Sequence, residues 1–558
     1  MRSTRHRALA LSALAAVALA TLQCSEAPPP PPELAPGGPR LLVLIVVDQF
    51  RYDYLERFGP HFEGGLKWLR EQGVVFANAH YDHALTVTAA GHSALSTGLH
   101  PSRSGIISNV WLDRQTGDEI YSYADTEHGR SPVNLLGTTL ADWVKELDPG
   151  ARVYSISHKD RSAIALGGHR ADGAYWYANE SGEWVSSAYY PDPEPKWLAD
   201  FHDRHLPDAY FGKMWEPIEL TADELEAAGV GTVDEGVFGR RLPYPFGGPR
   251  LTPDSSFYGA FRGSPYADEY MLALAQSVVE NKELGQREHL DVLALGLSVL
   301  DSVGHSFGPD SREVADTLLR LDRSLQTFFD FLGRTVGLDR VVIGFSSDHG
   351  VLPMPEYLQS KGIDSRRMDG EDRHCFQNAG LAIQEQYRLE DWVLGGFYLD
   401  HKAIADAGAE YADVEASLAR EIEKCSIVER VWTRTELQAT RLDEPDHFRR
   451  LYRHSFHPER SADLMVQLVE NAISSSSSTR ATHGSPYEYD THVPLIFVIP
   501  GIDPTTLHDP ARPVDLAPTL AAQLGIPYPD DLDGTDLSDL ISSRSGGQRG
   551  KAAYAPTE

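Results

Sequence analysis

The sequence predicts an α/β fold, a doubly wound and mostly parallel sheet with helices on both faces. Two observations predict it. Continuous apolar runs at 41–47, 292–297, 340–345 and 495–499 have the length of strands buried on both faces. Amphipathic helical stretches such as 314–332 lie between them, and strands alternating with helices argue for a parallel sheet. Of the 558 residues 41% are hydrophobic, enough for a sizeable core and too few for a membrane bundle.

Two stretches interrupt this alternation. Residues 171–270 are rich in Trp, Tyr, Pro and Gly, and 355–478 carry short α/β-like segments of their own. Both are expected to be cap-like insertions over the carboxyl edge of the sheet, where open α/β sheets bind ligands, within a body spanning 41–540. Serines 474–478 are expected to form a mobile loop, and no internal repeat is evident.

The N-terminus reads as an export signal over 1–23. Arg2, Arg5 and Arg7 precede an apolar run at 8–20, which is too short for a membrane span of about 20 residues. Ala18-Leu19-Ala20 suits ordinary cleavage, whereas Thr21-Leu22-Gln23-Cys24 resembles a lipoprotein box with Cys24 as a lipid anchor. Gln23 departs from the small residue usual there, so both processing routes stay open. A proline run within 24–40 forms a tether, and 541–558, lacking apolar periodicity, a flexible tail. The expectation is an exported protein, periplasmic or anchored to the outer membrane, acting as a monomer.

With 50 Lys plus Arg against 81 Asp plus Glu, the formal charge is −31. That excludes a general surface for duplex nucleic acid but not an anionic substrate in a locally positive pocket. The three cysteines, Cys24, Cys375 and Cys425, make no disulfide framework and no CxxC pair. Any bound metal must therefore be held by His and Asp.

Four segments near strand ends carry such residues. Asp48 follows the first apolar run, where alone it is better explained by capping a turn than by binding a ligand. Asp348-His349-Gly350 follows the third, and the two side chains converge only if the chain turns, which Gly350 permits. Asp301 and His305 stand four apart, on one face of a helical turn. His483 adjoins Gly484, ahead of the last run. Together they give three Asp and three His, a set able to build two zinc-type sites with positions left open for chemistry. A fifth segment, 84–93, places Thr88 where small residues open a helix whose amide dipoles favour an anion. A hydroxyl there is usually a cap, but beside a divalent metal it becomes a nucleophile.

With these motifs in view, the chain resembles the alkaline phosphatase superfamily, specifically the phosphate-irrepressible alkaline phosphatases, with nucleotide pyrophosphatase/phosphodiesterases as more distant relatives. The marks are VVDQFRYDYL, TVTAAGHSALSTG, GIISNVW, SHKDRSAI, LDSVGHSFGP, SSDHG and THGSPYEYDTHVP, in the family's order from about 41 to 540. The resemblance implies two Zn²⁺ ions, one on Asp301, His305 and His483 and the other on Asp48, Asp348 and His349. Thr88 would be the nucleophile, bound to the second zinc. Asn109 would hydrogen-bond a phosphoryl oxygen, and Lys159 and Arg161 would clamp the substrate phosphate. Two residues apart in an extended segment, they would share a face.

The implied activity is hydrolysis of small-molecule phosphate monoesters through a phosphothreonine. The alternatives are a phosphodiesterase or nucleotide pyrophosphatase of the same superfamily, or an exported, inactive metal-binding protein. An arylsulfatase fits less well, because neither Cys375 nor Cys425 lies in the CxPxR context such enzymes modify.

Overall fold

The computed structural model describes residues 37–218, 220–231, 242–246, 252–474 and 479–544. The expected signal segment, Cys24, nearly all of the tether, Ser475–Ser478 and the chain beyond 544 lie outside the described residues.

A nine-stranded sheet organises the body. Its strands in chain order are β1 (Leu41–Val47), β2 (Val74–Phe76), β3 (Val153–Ser157), β4 (Gly173–Tyr177), β5 (Trp184–Val185), β6 (Asp291–Leu297), β7 (Val341–Ser346), β8 (Leu495–Val498) and β9 (Thr505–Leu507). The spatial order is β9-β2-β8-β7-β1-β6-β3-β4-β5. From β7 through β4 every pairing is parallel, while β8 runs antiparallel to both β7 and β2, and β5 antiparallel to β4. The fold is therefore α/β and mostly parallel.

Alternation along β1 explains why all seven of its residues are apolar. Leu41, Val43, Ile45 and Val47 enter one core layer and Leu42, Leu44 and Val46 the other. Helices cover both layers. The ones that matter here are α1 (Thr88–Thr97), α2 (Asp160–Gly167), α3 (Tyr266–Asn281), α4 (Val299–Phe307), α5 (Arg312–Thr335) and α6 (Leu516–Leu524). Helix α5 puts Leu318, Leu321, Leu325, Phe328 and Leu332 into the first layer, at helical spacing.

The first interruption begins later than 171, because β4 and β5 belong to the central sheet. Their sequences, GAYWY and WV, use aromatics where the other strands use branched aliphatics. Tyr177 and Trp184 pack against α3 through Tyr270, and Tyr175 meets Trp197 edge-on, contacts that the apolar-run criterion does not detect. The tail also starts later than 541: a final helix spans Ser538–Arg544, and Leu537 and Ile541, four apart, are buried with α6.

The second interruption has a core of its own, around Ile383, Leu418, Ile422 and Val431. Its helices Gly370–Tyr387 and Tyr411–Ile422 pack together, and Cys375 on the first is bonded to Cys425 just past the second. Their number and spacing in the sequence predict no such bond. Two of three still make no framework, but the helix packing brings their Cα atoms to 5.8 Å, inside bridging distance.

Asp463 ties this insertion to the body. It is fully buried, and it accepts hydrogen bonds from Leu399 N (2.7 Å), Tyr411 Oη (2.8 Å) and Arg114 Nη1 (3.0 Å), with His401 Nε2 at 2.9 Å. Arg114 follows the Asn109 segment, so the carboxylate joins insertion to site. Burial raises its pKa, but His401, the Leu399 amide and Arg114 outweigh that and bring it down to about 2. A carboxylate depressed in the folded chain contributes stability that is present above about pH 4 and lost as pH falls through about 2. Asp463→Asn is expected to cost about 2 kcal/mol at neutral pH and to flatten the acid limb of the stability profile. Urea midpoints measured from pH 7 down to about 2.5 check this.

Candidate active site

Four of the five parallel strands deliver chemistry at their carboxyl ends. Asp48 ends β1, Asp301 and His305 lie on α4 just after β6, Asp348 and His349 follow β7, and Lys159 and Arg161 follow β3. His483 comes from the loop before β8 and Thr88 from the first turn of α1. Four strands ending together is what gathers residues so distant in sequence.

The three histidines are fixed in the same way. Nδ1 lies 2.8 Å from Ala481 O in His305, 2.7 Å from Thr86 O in His483 and 2.9 Å from Gly350 O in His349. A carbonyl only accepts, so each Nδ1 carries the proton and each Nε2 is left with its lone pair. Those lone pairs face carboxylates: His305 Nε2 is 3.1 Å and His483 Nε2 3.7 Å from Asp301 Oδ1, and His349 Nε2 is 3.3 Å from Asp348 Oδ2 and 3.5 Å from Asp48 Oδ1. The His349 and His483 rings stack with centroids 3.5 Å apart.

Two ligand clusters result, Asp48 with Asp348 and His349, and Asp301 with His349 and His483. His349 stands between them, and His305 joins the second through Asp301. Asp48 Oδ1, Asp348 Oδ2 and His349 Nε2 are buried with no hydrogen-bond partner. Buried lone pairs aimed at one another without a donor fit a cation and little else.

The charges agree. Burial, then Asp301 and Asp348, push the Asp48 carboxyl up. Burial opposes ionisation of Asp301 too, but Lys159 and His305 outweigh it and hold it well below the carboxylate range. His305 departs from the lone-pair pattern: burial is outweighed by Asp301, which lifts the ring to about 9, so in the metal-free chain its Nε2 carries a proton as well, one that a bound cation would displace. His483 is pushed down by burial, His349 and His305, which keeps it a neutral ligand.

Around this centre, Lys159 Nζ lies 2.5 Å from Asp48 Oδ2, 2.6 Å from Asp301 Oδ2 and 3.3 Å from Thr88 Oγ1. Thr88 is buried and forms no cap bond; the residue before the helix is Val87. The capping explanation therefore fails, and the hydroxyl is free for chemistry. Asn109 Oδ1 accepts from Ala89 N at 2.9 Å, which orients the amide and leaves its NH₂ as a donor. Arg161 is not on an extended segment with Lys159, as the two-residue spacing suggested, but in the first turn of α2. Its neighbour Asp160 is taken up by Arg130 (2.7 Å) and Tyr121, and Arg161 Nε is buried without a hydrogen-bond partner.

Several functional neighbours escaped the sequence reading. Gln49, in the left-handed region at φ 69°, donates Nε2 to Asp301 Oδ1 (2.7 Å) and its backbone N–H to Asp348 Oδ1 (3.2 Å). His92 Nδ1 lies 3.1 Å from Asp348 Oδ2 and 3.0 Å from Thr88 O, one turn along the helix from Thr88. A signal existed for His92, four residues after Thr88, but nothing in the sequence marks Gln49. Gly350 is needed for a reason other than turning freedom: a Cβ there would lie 2.2 Å from Tyr489 O. Gly91 likewise lets α1 approach Asp348, whose carbonyl oxygen would be 2.1 Å from a Cβ. From the first insertion, Arg262 is depressed by burial and by Arg161 and raised by Asp301 and Asp48, and its Nε is buried without a partner.

Outer groups that orient metal ligands are usually worth 10–100-fold in affinity. Gln49→Ala is expected to weaken metal retention by about that factor, measured by chelator competition, with little change in secondary structure by circular dichroism.

A family model described as type I phosphodiesterase / nucleotide pyrophosphatase matches residues 42–492. The alkaline phosphatase PafA of Elizabethkingia meningoseptica is 30% identical, over 90% of this chain and 94% of its own. The alkaline phosphatase PhoV of Synechococcus elongatus is also 30% identical, over 95% and 99%. The crystal structure of PafA matches with a TM-score of 0.81 at 29% identity, covering 90% of this chain and 99% of that one. With the fold, the clustered ligands and these likenesses in agreement, the chain belongs to the type I phosphodiesterase/nucleotide pyrophosphatase family of the alkaline phosphatase superfamily.

Proposed function

We propose that the protein is a metal-dependent alkaline phosphatase, hydrolysing phosphate monoesters through a phosphothreonine at Thr88. The observation that carries this reading is the uncapped Thr88 hydroxyl, 3.3 Å from the Lys159 ammonium at a helix N-terminus beside the buried ligand clusters. The relatives named alkaline phosphatases support it. Asp301, His305 and His483 would hold one metal and Asp48, Asp348 and His349 the other; ligands of N and O type without thiolate suit Zn²⁺. When bound, the metals supply Lewis-acid charge that lowers the pKa of hydroxyl and water oxygens and neutralises a leaving alkoxide.

The chain's own groups do the rest. Thr88 releases its hydroxyl proton to water, Oγ bonds to phosphorus as the ester P–O bond breaks, and the departing alkoxide takes an equivalent proton back from water. A water oxygen then attacks the phosphothreonine, releasing phosphate and restoring the Thr88 hydroxyl. Lys159 favours the Thr88 alkoxide electrostatically, and the Asn109 NH₂, Arg161 and the α1 N-terminus offer donors to the nonbridging oxygens. A monoester dianion presents three such oxygens, and two cations beside them favour it over a diester.

The family description leaves a diesterase reading of the same site open, and kinetics separate the two. Thr88→Ala is expected to lower p-nitrophenyl phosphate turnover by at least about 10³-fold, and chelator to abolish wild-type turnover. Undiminished turnover in Thr88→Ala refutes the nucleophile, and an inert wild type returns the binding-protein reading. Lys159→Ala and Arg161→Ala are each expected to lower kcat/KM for p-nitrophenyl phosphate by about 10²-fold, and for bis-p-nitrophenyl phosphate by much less. Equal losses on both substrates count against monoester preference.

We also infer that the protein works outside the cytoplasm. The Cys375–Cys425 disulfide supports this, because such bonds persist in oxidising compartments.

A further inference from the structure

A cavity of about 470 Å³ lies beside the metal-ligand cluster, and nothing in the mechanism uses it. It is set between the second insertion and the loop that carries His483. Phe376, Phe397, Tyr452, Val466, Leu468 and Ile473 face it from the insertion, and Tyr487 and Tyr489 from the loop. His483 belongs to both places: it lines the cavity, and its Nε2 points toward Asp301. The volume is that of a small-molecule site, mostly apolar with a few fixed polar groups. Arg373, an exposed side chain, stands at its rim. Asp490 is one such fixed group: Oδ2 is taken by the Ser485 amide (2.8 Å) and hydroxyl (2.6 Å), while Oδ1 is buried without a partner.

We propose that this cavity receives the leaving group, and that the preferred substrates are monoesters of flat, apolar alcohols, aryl phosphates first among them. The inference rests on the phosphomonoesterase reading above. In that reading Lys159, Asn109 and Arg161 gather around the phosphoryl oxygens, and Lys159 Nζ reaches Asp301 Oδ2 at 2.6 Å. His483 turns Nε2 to that same Asp301 from the cavity side, so the cavity adjoins the carboxylate that the phosphoryl donors share. An ester oxygen departing next to His483 puts the alcohol's carbon body against the cavity wall. Aromatic rings there gain from burial and from stacking or edge contacts with Phe376, Phe397 and Tyr487. A sugar would find fewer free donors, because the Tyr487 hydroxyl already donates to Leu468 O at 2.7 Å.

The test compares kcat/KM for 1-naphthyl phosphate and methyl phosphate in wild type, Phe376→Ala and Phe397→Leu. Intrinsic reactivity differs between the two esters, but it cancels when their ratio is compared between proteins. The naphthyl-to-methyl ratio is expected to fall about tenfold in Phe376→Ala. A ratio changed by less than about threefold in both variants overturns the proposal. If a variant does not fold, inhibition of wild type by 1-naphthol decides, with methyl phosphate as substrate. Competitive inhibition is expected; a noncompetitive pattern, or none up to the solubility limit, overturns the assignment. Wild type that turns over neither ester refutes the phosphomonoesterase reading itself, and the inference falls with it.

Discussion

Three imidazoles pinned at Nδ1 by backbone carbonyls, with Nε2 turned toward three buried carboxylates, are the constraint from which the rest of the site follows. Such an arrangement repels itself. Taking one carboxylate out of water costs several kcal/mol even after relaxation, and a second within a few ångströms adds to it. Lys159 relieves two of the three by lying between Asp48 and Asp301, which leaves Asp348 to His92, Gln49 and whatever cation occupies the cluster. The upward push on Asp48 is the sign that a single ammonium is not enough. The backbone has been shaped to hold this geometry, with Gln49 in a left-handed conformation and α1 brought against Asp348 at Gly91. Rigid placement of ligands by strands and their helices is what a preorganised metal site needs.

Much of this was legible in the sequence because strand ends are legible. A buried parallel strand is a continuous apolar run, so the polar residue that stops it is conspicuous. Asp48 and Asp348 stand out in that way, and Asp301 with His305 by the four-residue period of α4. What stayed hidden depends on the third dimension. Gln49 looks like any polar residue after an Asp, and only its backbone conformation and the approach of α4 turn its amide onto Asp301. Gly350 was read as a turn residue, whereas Tyr489 O, 139 positions away, is what excludes a side chain. β4 and β5 were missed because aromatic strands mixed with Gly and Tyr do not read as apolar runs, although Tyr175 and Trp184 are as buried as any valine of β1.

The two halves of the site are built by different means, and this bears on how its chemistry and its selectivity are separated. The proposed ligands and nucleophile sit just past the sheet, at the carboxyl ends of its strands and on the helices and loop that follow them. The strands themselves are buried on both faces. The apolar cavity is walled by the second insertion, which has its own core and a disulfide and meets the body through Asp463 and Arg114. Changing residues of that wall leaves the parallel strands untouched. A scaffold that fixes reacting groups on strands and gives selectivity to an appended layer can vary the second without disturbing the first.

Net charge shows how local the governing electrostatics are. A chain with 81 acidic and 50 basic side chains repels a phosphate dianion at long range. Screening limits that repulsion to about 8 Å at physiological ionic strength, so it acts on the approach and not on the bound state. At the site, Lys159 and Arg161 stand against Asp48, Asp301 and Asp348, and these five groups alone sum to one negative charge. Cations held by the carboxylates would reverse that sign. The same carboxylates that make the metal-free centre unfavourable thus make it selective for cations, and the cations in turn admit the anion. Phosphate recognition in an acidic protein then follows from where a few charges are buried, not from the total.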